Sequence, residues 1–232
     1  MKQCFLKKAV GNRGLILFFG GWGSSPELFS GHEIEPGYDC IFCWDYRDLG
    51  FSFDSLGGYD RVSVYAWSMG VWVAQHVLSG RLAVEPEAAI AVCGTPHPVD
   101  DLRGIPRAVF LGTMKNMSDP VLRKFRKRMC GHDLDAYMSR VGNRTVEELS
   151  EELESLFVFV TGAEAGTPVA GLRLSWNVAV IGEDDLIFPA ANQLRDWTSE
   201  ELGGTCETVV VKSPHYGEEM FRKLLLGGYR RR

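Results

Sequence analysis

Apolar residues in this chain gather in short unbroken blocks. They stand at 15–19, 39–43, 62–65, 88–92, 178–181 and 208–211. Most are continuous rather than alternating, the pattern of strands in a parallel sheet buried on both faces. Helix-like or loop segments separate them, which predicts an α/β class. Residues 3–8 predict an added edge strand. The run Arg107-Ala108-Val109-Phe110-Leu111 fits either a short strand or the approach to the next segment.

The rhythm breaks between about 113 and 170. Asp119-Pro120 resembles an N-cap followed by proline at the first helical position. Leu122, Phe125 and Met129 then recur at helical spacing, and Gly131 can end the helix. Thr145 with Glu148 three residues later is a capping-box pattern, and Leu149, Leu153 and Leu156 give the helix behind it an apolar face. Helices inserted between strands of such a sheet predict a lid over its carboxyl edge, within one domain spanning 1–232. The tail Tyr229-Arg230-Arg231-Arg232 is expected to fray.

Candidate chemistry begins at Ala66-Trp67-Ser68-Met69-Gly70, between the strand block ending at Tyr65 and a helix-like run from Val71. A serine with small residues at −2 and +2, between strand and helix, reads as a nucleophile elbow. Its turn projects the hydroxyl off the sheet and aims backbone N–H groups at the helix start, where an oxyanion can be held. Ala66 replaces the usual glycine, at the cost of one methyl. A serine at the start of an ordinary βα unit has the same local pattern, so the rest of the chain must decide.

A serine hydroxyl needs a base, and the base an orienting carboxylate. Of five histidines, His215 in Ser213-Pro214-His215-Tyr216-Gly217 lies just past the last strand block and faces the same sheet edge. His97 also sits in a post-strand loop. His76 points along a helix, and His32 and His132 lie in polar loops. Gly182-Glu183-Asp184-Asp185 follows the strand at 178–181; Asp185, four residues before Pro189, is the preferred acid and Asp184 the reserve. The oxyanion needs two donors: the Met69 N–H, and one from the loop Gly20-Gly21-Trp22-Gly23, for which Trp22 is the candidate. That loop has neither a following G-K-[ST] nor the G-x-G-x-x-G register, so nucleotide binding is not expected. Trp22, Trp67 and Phe188 flank these positions, either as an acyl pocket or as ordinary core.

The 232 residues are 45% hydrophobic and 24% charged, the composition of a globular domain, with net charge −5. That balance argues against a general nucleic-acid binder. No run of 18 apolar residues predicts a membrane span, and residues 1–8 lack the apolar core of a signal peptide. A cytoplasmic protein is expected. Cys40 and Cys43 form a C-x-x-C inside a strand block, where residues three apart face opposite ways. With the other four cysteines scattered, buried free thiols are expected rather than a metal site. Neither cofactor nor metal is called for. Against the acidic whole, Arg123, Lys124, Arg126, Lys127 and Arg128 crowd one helix of the insertion. A solvated face is the ordinary reading of such a run; docking of an acidic protein partner is the other.

Taken together, these residues resemble the small α/β-hydrolases of biotin synthesis that demethylate pimeloyl-[acyl-carrier-protein] methyl ester, in their shorter, atypical branch. The similarity runs through Phe19-Gly20-Gly21-Trp22-Gly23, Asp45-Tyr46-Arg47, Ala66-Trp67-Ser68-Met69-Gly70 and Gly94-Thr95-Pro96-His97-Pro98-Val99-Asp100-Asp101. It continues through Gly104-Ile105-Pro106, Lys124-Phe125-Arg126-Lys127-Arg128-Met129-Cys130 and Pro214-His215-Tyr216. The resemblance implies an α/β-hydrolase fold, a mostly parallel sheet with helices on both faces and a short helical lid. The spacing from Asp185 to Pro189 matches the D-x-x-x-P arrangement common in that superfamily. It also implies a serine carboxylesterase with Ser68, Asp185 and His215 as triad and an acidic acyl carrier protein as partner, facing the five cations. No nucleic-acid or membrane partner is expected, and the protein is expected to be a monomer. A thioesterase or general short-chain esterase with the same triad is the rival enzyme, and a catalytically silent carrier-protein-binding module the rival outside enzymes.

Overall fold

The computed structural model describes residues 1–82, 85–165, 174–202 and 205–231. Seven strands form one sheet: β1 (Lys2–Lys7), β2 (Gly14–Phe19), β3 (Tyr38–Trp44), β4 (Arg61–Trp67), β5 (Ala88–Val92), β6 (Val178–Gly182) and β7 (Glu207–Val211). Their spatial order is β1-β3-β2-β4-β5-β6-β7. β1 is antiparallel to β3, and every other neighbouring pair is parallel. Burial follows position in the sheet, and the block at 208–211 is less covered than its unbroken apolar run suggests. β2, an interior strand between β3 and β4, is buried at all six positions, whereas the edge strands β1 and β7 are only half-buried.

Helices α1 (Met69–Leu78), α6 (Ala190–Trp197) and α7 (Glu218–Leu225) follow β4, β6 and β7. Between β5 and β6 lie α2 (Arg107–Lys115), α3 (Asp119–Cys130), α4 (Leu134–Met138) and α5 (Val146–Ala165). The helical stretch thus begins six residues earlier than the break at 113 suggested. Residues 107–111 are helix rather than strand: Pro106 precedes the first turn and Phe110 is buried. The expected end of the insertion, near 170, lies outside the described residues.

Local signals set these helices. Both arms of the capping box form, Glu148 N–H donating to Thr145 Oγ1 (3.2 Å) and Thr145 N–H to Glu148 Oε2 (3.0 Å). At α3 the N-cap is Ser118, one residue before Asp119, with proline still in the first turn. Leu122 and Met129 bury their side chains, and the Gly131 amide closes the helix on the Lys127 carbonyl.

The tail differs from expectation. Tyr229 is buried, and Arg230 donates to the hydroxyls of Tyr38 (2.6 Å) and Tyr65 (2.8 Å) and pairs with Glu35 (3.0 Å). The partners of this guanidinium, Glu87 (3.2 Å) among them, lie on β3, β4 and the loops before β3 and β5, a meeting point invisible in a terminal run of arginines. All six cysteines are free, and four are buried. Among the described residues no helix is long and apolar enough to cross a membrane. The loops leaving β2, β4, β5, β6 and β7 gather at the carboxyl edge of the parallel strands, where open α/β sheets hold their ligands.

Candidate active site

Ser68 connects β4 to α1 with φ 59° and ψ −128°, in the positive-φ region that non-glycine residues seldom occupy. The turn is held by its neighbours. A Cβ on Gly70 would lie 2.5 Å from the Gly20 carbonyl oxygen and 2.6 Å from that of Phe19, so only glycine lets α1 approach the end of β2. A Cβ on Gly94, after β5, would collide with the Ser68 carbonyl. The first of these constraints is legible in the five-residue motif; the second comes from a neighbouring strand.

His215, 1% exposed, reaches the same edge from the loop after β7. Its Nδ1–H donates to Asp185 Oδ2 at 2.8 Å. Asp185 is itself fixed: its Oδ1 accepts the amides of Ile187 and Phe188, both at 2.8 Å, and Gln193 Nε2 donates to Oδ2 at 3.0 Å. Gln193 carries no motif and escapes sequence reading. Asp184 points outward to Lys212 (2.9 Å) and is about half exposed. Ser68 and His215 line one cavity, and no hydrogen bond joins the Ser68 hydroxyl to the imidazole. Such contacts often tighten only when a ligand is bound.

The cavity holds about 570 Å³ of empty space, its open mouth included. Trp22, Met69 and Gly21 line it beside Ser68. Among the described residues neither the Trp22 nor the Met69 amide has a protein acceptor, and Met69, first residue of α1, has no helical one. The two candidate oxyanion amides are therefore uncommitted. Ile105, Phe110, Phe125, Met129 and Leu153 supply an apolar wall. Trp67 also lines the cavity and donates from Nε1 to the His215 carbonyl (3.1 Å), tying the nucleophile's strand to the base's loop. Phe188 stands apart from it: fully buried, it stacks flat on the imidazole, with centroids 5.9 Å apart and a 4° interplanar angle.

The cations of α3 divide. Arg123, Lys124 and Lys127 are exposed to solvent. Arg126 is half-buried over the Tyr137 ring (6.0 Å), and its Nε finds no partner among the described residues. Arg128 reaches back to the cavity mouth, donating to the Leu186 carbonyl at 2.6 Å.

The other histidines lie elsewhere. His97 donates to buried Asp196 (2.9 Å), His76 stacks on Trp72, His32 faces Glu218 and His132 faces Asp133. Cys93, Asp185 and His215 bring potential metal-binding atoms within 4.8 Å. Burial, reinforced by the Asp185 charge, pushes the Cys93 thiol well above its ordinary pKa.

The family model described as "Pimeloyl-ACP methyl esterase BioG" matches residues 1–222. The chain is 43% identical over 213 residues to a malonyl-[acyl-carrier protein] O-methyltransferase of Bacteroides fragilis. That match covers 90% of this chain but only 41% of that protein, so the chain spans less than half the length of this relative. An uncharacterised Haemophilus influenzae protein is 34% identical over 87% of this chain and 88% of its own. Among solved structures, BioG from Haemophilus influenzae superposes with TM-score 0.82 at 32% identity, covering 96% of this chain and 97% of that one. An esterase from Exiguobacterium antarcticum, at 13% identity and TM-score 0.64 over 94% and 92% of the two chains, shares the fold.

Proposed function

The chain belongs to the pimeloyl-ACP methyl esterase BioG family, and from that premise we propose that it is a serine carboxylesterase removing the methyl group from pimeloyl-[acyl-carrier protein] methyl ester. The carrying observation is the convergence on one apolar cavity of Ser68, the Asp185–His215 pair and two uncommitted amides.

When the ester enters, His215 Nε2 takes the Ser68 proton as Oγ attacks the ester carbonyl. Asp185 holds Nδ1–H, keeping Nε2 free as base and balancing the imidazolium that forms. The tetrahedral oxygen takes up negative charge against the Trp22 and Met69 amides, which act in a site largely closed to water. Collapse breaks the bond to methoxide, which leaves as methanol with the proton from His215. Water, deprotonated by the same imidazole, then releases the acyl group as a free carboxylate, and Ser68 recovers its proton. The thioester to the carrier stays intact.

The acyl chain runs along the wall of Phe110, Phe125, Met129 and Leu153 to the mouth beside Arg128. There the helical insertion serves as lid, and Arg123, Lys124 and Lys127 receive the acidic carrier. All these groups come from one chain, so a monomer suffices. Six free thiols suit the reducing cytoplasm. The methyltransferase name belongs to a relative more than twice as long, and a serine beside an acid–histidine pair suits a hydrolase.

Purified protein incubated with the carrier-bound methyl ester should release methanol and leave a carrier-linked free acid, resolvable by intact mass. Ser68→Ala should cut kcat on the order of 10⁴-fold or more with folding intact. Release of the acyl chain from the carrier instead would identify a thioesterase. Absence of any phosphonylated serine after fluorophosphonate treatment would leave only a binding module.

A further inference from the structure

Glu152 is 0% exposed and takes no part in the chemistry above. Its Oε2 accepts the Gly23 amide at 3.2 Å and Arg144 Nη1 at 2.6 Å, and its Oε1 accepts the Tyr46 amide at 3.0 Å. Three residues earlier on the same face of α5, the Leu149 carbonyl accepts the Trp22 indole N–H at 2.9 Å. One residue later, Leu153 forms part of the cavity wall. One turn of α5 thus grips the loop after β2 at two points: the side chain of Trp22, and the peptide next to it.

Burying a carboxylate is costly unless it is paired and hydrogen-bonded, and filling the same space with an apolar side chain is often neutral or better. Burial pushes the Glu152 carboxyl above its ordinary pKa, and the Arg144 charge works against that rise. A leucine at this position could pack α5 but could not accept two loop amides. What the carboxylate adds is direction. It joins the loops after β2 and β3 through the Gly23 and Tyr46 amides. The near end of the first loop is held from below, where the Tyr46 hydroxyl donates to the Gly20 carbonyl (2.8 Å) and the Gly20 amide to the Cys43 carbonyl (2.9 Å). Trp22 lies between these two sets of ties, at the cavity wall, and its amide has no acceptor among the described residues.

We propose that Glu152 is a positioning residue for ester hydrolysis, clamping the oxyanion loop together with the Leu149 carbonyl so that the Trp22 amide points at the reacting carbonyl. This rests on the reading of Trp22 as oxyanion donor, and it makes the helical insertion part of the catalytic apparatus as well as its cover. A contact that only aims a donor is realised where charge develops, in the transition state. Its loss lowers kcat and leaves substrate binding alone.

The test is Glu152→Gln, nearly isosteric but with one acceptor oxygen, assayed on a small free ester so that carrier docking plays no part. Turnover is normalised to active sites counted by end-point fluorophosphonate labelling, which removes any contribution from misfolded protein. kcat per labelled site should fall about 10- to 100-fold, with KM within about twofold. A kcat per site within about twofold of the parent would overturn the clamp. Should Glu152→Gln fail to fold, Trp22→Phe leaves the buried charges in place and removes the indole donor together with part of a ring that lines the cavity. It should lower kcat several-fold, and an unchanged kcat would overturn the proposal equally. If the parent enzyme labels nowhere or at a residue other than Ser68, the catalytic reading falls and takes the clamp with it. If Ser68 labels and the variants turn over normally, only the clamp falls.

Discussion

Asp185 accepts the amides of Ile187 and Phe188, the amide group of Gln193 and the imidazole of His215, while Asp184, one residue earlier, reaches out to Lys212. The first is a buried carboxylate that can stabilise an imidazolium; the second is half of an exposed ion pair worth little. Asp185→Asn should lower kcat by about 10⁴-fold, since an amide in its place favours the wrong imidazole tautomer. Asp184→Asn should stay within about twofold and change stability by less than about 0.5 kcal/mol. Steady-state kinetics and urea melts on the two variants check this, and a larger rate loss from Asp184→Asn would reverse the assignment. The same scale separates Phe188 from Trp67: both flank reacting groups in the chain, but Trp67 faces the cavity whereas Phe188 supports the imidazole from behind.

Elements are coupled through charge near the loop after β3. Asp45, 4% exposed, pairs with Lys2 of β1 (2.9 Å), with Arg47 (2.7 Å) and with Arg144 before α5 (3.3 Å), and Arg47 continues to Glu151 of α5 (2.9 Å). Burial alone would raise the Asp45 pKa. The hydrogen bonds from Arg47 and Lys2, with the charges of Arg144 and Arg47, outweigh it and hold the carboxyl well below the usual range. A depressed folded-state pKa contributes stability that is present above the unfolded value of about 3.9 and lost as pH falls below it. Glu152, pushed upward by burial, has the opposite sign: its contribution is fullest at low pH and declines as pH rises through its folded value. Asp45→Asn should therefore cost roughly 3 kcal/mol at neutral pH, where it leaves Arg144 and Lys2 facing a neutral amide. That difference should shrink once the pH drops below about 4. Urea unfolding of parent and variant at both pH values measures it, and an equal gap at each would place the stabilisation elsewhere.

Across the whole molecule, a net charge of −5 coexists with a cationic stripe on the helix beside the cavity mouth. Long-range attraction of an acidic carrier to that stripe would be screened by salt, whereas the approach of a neutral ester would not. Arg126 and Arg128 are engaged with Tyr137 and Leu186, so the informative reversal is Arg123→Glu, Lys124→Glu and Lys127→Glu. The triple variant should lose about tenfold or more in kcat/KM on the carrier-bound ester at low ionic strength. A small free ester should remain within about twofold. Raising ionic strength should slow the parent enzyme on the carrier substrate toward the variant. Equal losses on both substrates would rule out docking through this face.

The chain order alone carried the α/β class, because repeated unbroken apolar blocks separated by helical stretches suit parallel strands covered on both faces, and β2 is buried at every position; the run at 107–111 shows that a single block can equally be helix. It also carried the capping box of α5, a local pattern of a few residues, and the placing of an acid after β6 and a histidine after β7; their meeting, 30 residues apart, belongs to the fold. Tertiary structure decided what depends on distant neighbours. Gly94 matters because β5 runs beside β4, and Arg230 is pinned because Glu35, Tyr38 and Tyr65 meet at one point. Gln193 braces Asp185 from the following helix. Glu152 reads in sequence as one more polar residue on an amphipathic helix. Only the packing of α5 against the loop after β2 removes it from water and gives its two oxygens the amides they hold. Periodicity records which side of an element is buried; what it is buried against is a property of the assembled fold.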